Sequence, residues 1–306
     1  MNDDTSGRFE SWVRSGATII APATALSAVL FYFGYVSSRS QFEYFGIDVD
    51  TVGLGTQDYI MRSPQPLLVP MLVLTLTGVG VLALVTRTRR WLTAAHPEPG
   101  VRRARFAHRL VIGCLTAGFT VLGAGLVLLV VYVPLRTWVY YALVTPLLTG
   151  TGAALIAYGS HVRDLARRRP EQTPAEDTTL LLRRSSRALI FLVILVSVFW
   201  TTATIAQWSG RGLAQQQALD LAELPSVILD TKERLYLRSP GIGETALEQS
   251  EGQTFRYRYR DLRLLIHGNG LMFLVPSTWS ASNSTLVVRM DDSVRVQFQF
   301  QNQRPE

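Results

Sequence analysis

Residues 110–135 read LVIGCLTAGFTVLGAGLVLLVVYVPL, 26 positions in a row without an Asp, Glu, Lys or Arg. A helix rises 1.5 Å per residue, so about 20 apolar residues cross the roughly 30 Å hydrocarbon core of a bilayer, and this run is long enough to span one. Four further runs lack the same residue types, at 15–38, 63–86, 137–162 and 188–210. The five are read as transmembrane helices TM1 (15–38), TM2 (63–86), TM3 (110–135), TM4 (137–162) and TM5 (188–210), a transmembrane domain over 15–210. A soluble fold with five such buried helices needs more amphipathic cover than 306 residues supply.

Charge sets the expected orientation. Seven arginines lie between the second and third runs and seven more between the fourth and fifth, whereas the other two connections hold Arg39 and Arg62, and Arg136. Short basic loops stay cytoplasmic, so the N-terminus is read as inside and, after five crossings, the C-terminal tail as outside. The net charge of +7 is therefore a topology signal, and no nucleic-acid partner is inferred from it. The first run continues past Ala21–Ala25 through Leu30-Phe31-Tyr32-Phe33, which fits a retained anchor better than a cleaved signal peptide. Cys114 is the only cysteine and sits in the third run, so the tail has no disulfide, as expected of a bacterial envelope protein. Arginine far outnumbers lysine, represented by Lys232 alone, which is associated with a GC-rich genome.

The expected layout is a cytoplasmic tail (1–14), the transmembrane domain, an interfacial helix or linker (211–224) and an extracytoplasmic β-rich domain (225–306). The outer loop 39–62 mixes Phe42, Tyr44, Phe45 and Tyr59 with acidic residues and is read as short helices folded back on the membrane surface. His96-Pro97-Glu98-Pro99-Gly100 breaks the second loop, an acidic turn occupies 170–177, and a tight hairpin at Pro134 joins TM3 to TM4. Glycines and alanines of TM3 and TM4 are assigned to close packing within the chain. From Ser226 the pattern changes to period two, predicting strands at 226–230, 234–238, 254–266, 271–275, 285–289 and 294–300 with a hairpin turn at His267-Gly268-Asn269-Gly270. Val294, Val296, Phe298 and Phe300 share one face of the last strand. The fold class is thus an α-helical membrane protein, N-in and C-out, carrying a small antiparallel β-rich domain.

Two patterns qualify as candidate sites. Phe255-Arg256-Tyr257-Arg258-Tyr259-Arg260 on a strand alternates aromatic and guanidinium faces. Arg256, Arg258 and Arg260, with Tyr257 and Tyr259, form a possible contact for an anionic lipid or an anionic envelope polymer. The competing reading pairs these arginines with Asp261, Asp291, Asp292 or Glu251, and the near balance of charge over 212–306 favours it. Asp48, Asp50 and Asp58 form a possible outer-loop contact. Asp48-Val49-Asp50-Thr51-Val52-Gly53 is similar to the start of a calcium loop, but Val52 and Tyr59 stand where two ligands belong, and ordinary solvated carboxylates are the preferred reading.

No metal or cofactor is called for, because the four histidines show no ligand spacing, and no catalytic motif supports an enzyme. Ion-coupled carriers place ionisable groups inside their helices. Here only His161, at an end, qualifies, and the Thr and Ser hydroxyls are assigned to bonds with their own or neighbouring helices.

Three segments carry a resemblance: LFYFGYVSSRSQFEYFGIDVDTVGLGTQDYIMRS (30–63), LPSVILDTKERLYL (224–237) and FRYRYRDLRLLIHGNGLMFLVPSTW (255–279). Together they resemble a family of uncharacterised multi-pass membrane proteins of high-GC actinobacteria. The resemblance implies a bacterial host and no mechanism. The function expected from the sequence is a non-enzymatic cell-envelope sensor, scaffold or partner subunit of the plasma membrane, working with lipid, with other membrane proteins or with itself. The alternative is an oligomeric channel or membrane-permeabilising protein.

Overall fold

The computed structural model describes residues 3–93, 101–135, 137–167, 177–237, 239–248, 250–280 and 282–299. The breaker at 96–100, Arg136, Phe300 and the acidic turn up to residue 176 lie outside the described residues. Among the described residues eight α-helices follow in order: α1 Asp3–Tyr44, α2 Val49–Val52, α3 Thr56–Arg62, α4 Pro64–Thr93, α5 Val101–Val130, α6 Tyr132–Leu135, α7 Tyr141–Arg167 and α8 Asp177–Leu219. Then come strands β1 Ser226–Thr231, β2 Gly243–Ala246, β3 Tyr257–Gly268, β4 Leu271–Pro276, β5 Leu286–Arg289 and β6 Val294–Phe298. Helices α1, α4, α5, α7 and α8 are long and apolar enough to cross a membrane. The chain divides into two compact units, one spanning Leu67–Ile205 and the other joining the chain up to Pro66 with the chain from Ala206 onward.

In the Leu67–Ile205 unit, small residues set the helix spacing. A Cβ on Gly152 of α7 would stand 2.5 Å from the Leu122 amide nitrogen of α5, and one on Gly118 would stand 3.0 Å from the Gly152 carbonyl oxygen. Only glycine admits backbones that close. Helix α8 joins through Ser197, whose hydroxyl lies 3.0 Å from that of Thr149, and through Thr204, which donates to the Ala142 carbonyl at 3.1 Å. Thr116, Thr120, Thr145, Thr201 and Thr202 each donate to the carbonyl four residues back, the use expected of them. Helix α7 outruns its expected end by five residues and so contains Asp164, paired with Arg187 of α8 at 2.5 Å. It starts at Tyr141 rather than 137, because the chain first makes α6 and a turn in which the Tyr141 hydroxyl donates to the Leu128 carbonyl.

The other unit is built on a six-stranded antiparallel sheet ordered β5-β4-β3-β1-β6, with β2 also paired to β3. The β3–β4 hairpin turns at Asn269 (φ 51°) and Gly270 (φ 73°), two positive angles of the kind tight hairpins favour. Strand β3 is interrupted twice: its register shifts between Tyr259 and Leu262, where Asp261 adopts φ 63°, and again between Leu264 and Ile266. Each extra residue exchanges the faces of the strand. Tyr259, Leu262 and Leu264 thereby face one core with Val227, Leu229, Met272, Leu274 and Val288, whereas Leu265 and Ile266 face a second core.

That second core corrects the reading of 39–62. The segment does form short helices, but Phe42, Phe45, Ile47, Val49, Val52 and Tyr59 are buried with Phe273 and Val275 of β4. Burying a phenylalanine side chain is worth about 1.5–3 kcal/mol, so Phe42 and Phe45 hold the segment firmly on the sheet. Gly268 admits the Val52 carbonyl, which a Cβ would displace. Strand β4 is therefore apolar on both faces, which is why LMFLV shows no alternation.

Three boundaries also differ from expectation. Helix α1 runs to Tyr44 and α8 to Leu219, because Phe42 and Ala214 near their ends reach this core. The separate helix expected after residue 210 is thus the last turns of α8, where the missing side chain of Gly210 leaves room for the Ser37 carbonyl and Gln41 donates to Gln217 at 2.8 Å. The strand expected at 234–238 is absent over its described residues 234–237. Tyr236 sits at φ 50°, and the Leu235 amide is spent on the Tyr259 hydroxyl, so β2 takes the place beside β3.

Candidate functional site

The arginines of 256–260 stand in different surroundings. Strand β1 lies between β3 and β6, and its Asp230 stands opposite Arg258 on one side and Arg295 on the other. Arg258 donates to the Asp230 carboxylate through Nε at 2.8 Å and Nη2 at 3.0 Å. Arg295 donates through Nε at 3.1 Å and Nη2 at 2.6 Å, and its guanidinium lies 4.9 Å from the centre of the Phe255 ring. Asp230 is fully buried, so the four bonds replace the water it has lost. The Arg258 hydrogen bonds, joined by those of Arg295, hold its carboxyl below the usual carboxylate range against the opposing pull of burial.

Tyr259 is buried and its hydroxyl accepts the Leu235 amide, while Tyr257 is half-buried against the same core. Arg256 and Arg260 remain exposed and form no ion pair among the described residues. Arg258 thus pairs across the sheet with Asp230, an acid other than the four expected partners. Asp261, Asp291, Asp292 and Glu251 form no salt bridge among the described residues. A signal for Asp230 exists in the sequence: an acid set in the apolar run Ser226-Val227-Ile228-Leu229-Asp230 is buried and calls for cations on its neighbouring strands.

The carboxylates of Asp48, Asp50 and Asp58 are divided among separate tasks. Asp48 caps α2, its Oδ1 accepting the Asp50 amide at 3.2 Å. Asp58 accepts the Gly55 amide at 2.8 Å at the start of α3. Asp50 is exposed. The three do not converge, and no group of three His, Cys, Asp or Glu side chains able to hold a metal occurs among the described residues.

Asp48 does line an open cleft of about 970 Å³ where the end of α1 and the 46–51 segment meet the 279–287 segment. Phe45 and Phe273 form its floor, both 2% exposed. Trp279 stands edge-on to Phe45 with ring centres 5.1 Å apart, and Tyr44 lies beside it. Thr285 donates to the Phe45 carbonyl at 2.6 Å, and Asn283 donates to the Thr278 carbonyl at 2.7 Å, which fixes the rim. A partly exposed tryptophan beside tyrosine, carboxylates, an amide and hydroxyls is the mixture that recognition surfaces favour, one apolar anchor within reach of oriented polar groups. Asp48 is among the residues expected from the sequence, whereas Trp279 and Asn283 are not; their signal is a tryptophan set among small polar residues in Ser277–Thr285.

No protein-family model, curated protein or solved structure matches this chain.

Proposed function

We propose that this chain is an integral protein of a bacterial plasma membrane, resembling the actinobacterial family on the segments quoted above. In this reading it has five spanning helices, the N-terminus inside and the sheet outside, and works as a non-enzymatic sensor, scaffold or partner subunit. The observation that carries this reading is that the first and last apolar helices end inside the core of the sheet, through Phe42 and Ala214. A partner engaging the Tyr44–Trp279 cleft touches the residues that terminate α1, so occupancy outside bears directly on a spanning helix. The arginine asymmetry of the loops supports the orientation.

Purified protein reconstituted in liposomes tests the reading. Resistance to carbonate extraction together with an intact permeability seal is expected. A sizeable conductance would replace the binding module by the oligomeric pore, and extraction by carbonate would remove the membrane assignment altogether.

A further inference from the structure

We propose that a cleft between α4, α5 and α7 holds one anionic phospholipid, its phosphate at Arg87 and Arg90 and an acyl chain along the apolar wall. The inference rests on the membrane reading above, but concerns the Leu67–Ile205 unit, at the level where the apolar run 63–86 gives way to arginines. Leu84, Arg87, Thr88 and Trp91 recur at three- and four-residue spacing and form one stripe of α4. Arg90, three residues from Arg87, is its neighbour on the surface. Across from this stripe stand Phe106, Ala107 and Leu110 of α5 with Tyr158 and Val162 of α7, enclosing about 950 Å³. Ala107 and Val162 are 4% and 0% exposed and close the base.

The chemistry along the cleft changes in the order a phospholipid requires. Ala83, Leu84 and Leu110 offer only hydrocarbon, and the next turn of α4 brings Arg87 and Arg90. The Trp91 ring meets Phe106 edge-on at 5.2 Å at this boundary, where tryptophan is favoured in membrane proteins. The Thr88 and Tyr158 hydroxyls are 2.7 Å apart and satisfy one another, which leaves the guanidinium groups as the polar recognition elements. Both arginines are exposed and in no ion pair among the described residues.

Among the described residues no Asp or Glu lines the cleft. A zwitterionic headgroup would therefore bring an ammonium beside two arginines with no carboxylate among those residues to receive it. Free phosphate would leave the apolar wall uncovered. A lipid whose only headgroup charge is its phosphate satisfies both parts, and basic pockets between membrane helices bind such headgroups.

The test uses the full chain in vesicles containing phosphatidylglycerol or phosphatidylcholine with brominated acyl chains, which quench nearby indoles. The difference between the protein and its Trp91→Phe variant isolates the signal of residue 91. Each arginine at an anionic surface is worth about fivefold in partition, so phosphatidylglycerol should be preferred at Trp91 by about twenty-five-fold. Arg87→Gln/Arg90→Gln should remove that preference, while Arg105→Gln/Arg109→Gln, equal in charge and outside the cleft, should keep most of it. Equal losses in the two double variants, or equal quenching by both lipids, would overturn the site. Absence of quenching of every tryptophan by either lipid would instead overturn the membrane reading on which the site rests. Elution of each variant as the same species in size-exclusion chromatography confirms that the fold survives.

Discussion

Asp230→Asn keeps the shape of the side chain and removes the charge that two guanidinium groups share. Asp230 is fully buried and accepts four hydrogen bonds, two from Arg258 and two from Arg295. Breaking a buried ion pair by removing one partner costs about 3–5 kcal/mol. The side chains of Arg258 and Arg295 are 24% and 46% exposed, so both can recruit water once the carboxylate is gone, and the loss should fall at the low end, about 3 kcal/mol. For a unit of 150–250 residues each kcal/mol moves the midpoint by about 2–4 °C, giving a fall of about 6–12 °C in thermal unfolding followed by circular dichroism in detergent.

The pH dependence of this loss has a definite sign. The native carboxyl is held below its ordinary range, so its contribution is present at neutral pH and disappears as pH falls through the native value. The gap between the protein and Asp230→Asn should close below about pH 4, the ordinary carboxylate value. Replacing all three charged groups by apolar side chains of similar volume should recover most of the loss. A change under about 0.5 kcal/mol at neutral pH, within the range of ordinary surface substitutions, would refute the reasoning. So would a gap that stays constant in acid.

Gly210→Ala drives a methyl into the Ser37 backbone and should cost about 1–3 kcal/mol, whereas Gly212→Ala, with open space around it, should gain about 0.5–1 kcal/mol; thermal unfolding of the two variants side by side checks the contrast. Asp261 occupies the left-handed region at φ 63°, so Asp261→Gly should raise stability by up to about 1 kcal/mol and Asp261→Val lower it by about 1–2 kcal/mol, both read from chemical denaturation. Arg256→Gln with Arg260→Gln should leave the unfolding stability within about 0.5 kcal/mol of the parent, since neither arginine forms an ion pair among the described residues; a larger loss would show that the exposed guanidinium groups hold the sheet.

The helices were legible because absence of charge over more than 20 residues is a signal that no local propensity obscures. Their ends were not. Charge marks where a helix leaves an apolar run, but α1 and α8 continue for as long as Phe42 and Ala214 find a core, and that core comes from β4, more than 50 residues farther along the chain than Ala214. The antiparallel sheet was visible in its period-two strands and in the turn at Asn269-Gly270. Strand β2 was missed because Gly243-Glu244-Thr245-Ala246 has no alternation, and its place beside β3 depends on register alone. The arginine row was read with uninterrupted alternation. The bulge at Asp261 and the buried acid at Asp230 are pairings between strands, and these are fixed only once the strand order is known. The Trp279 cleft escaped for the same reason: its two sides come from segments more than 200 residues apart.

The side of the membrane on which the sheet lies is the central claim, and one labelling experiment decides it. Cys114 is replaced by Ala and a single cysteine is placed at Ser282, which is exposed on the sheet-bearing unit. Intact cells are then treated with a membrane-impermeant maleimide. The proposed orientation predicts labelling at residue 282 without permeabilisation. Protection until the membrane is opened would contradict it, placing the Tyr44–Trp279 cleft among cytoplasmic partners and the Arg87–Arg90 cleft in the outer leaflet.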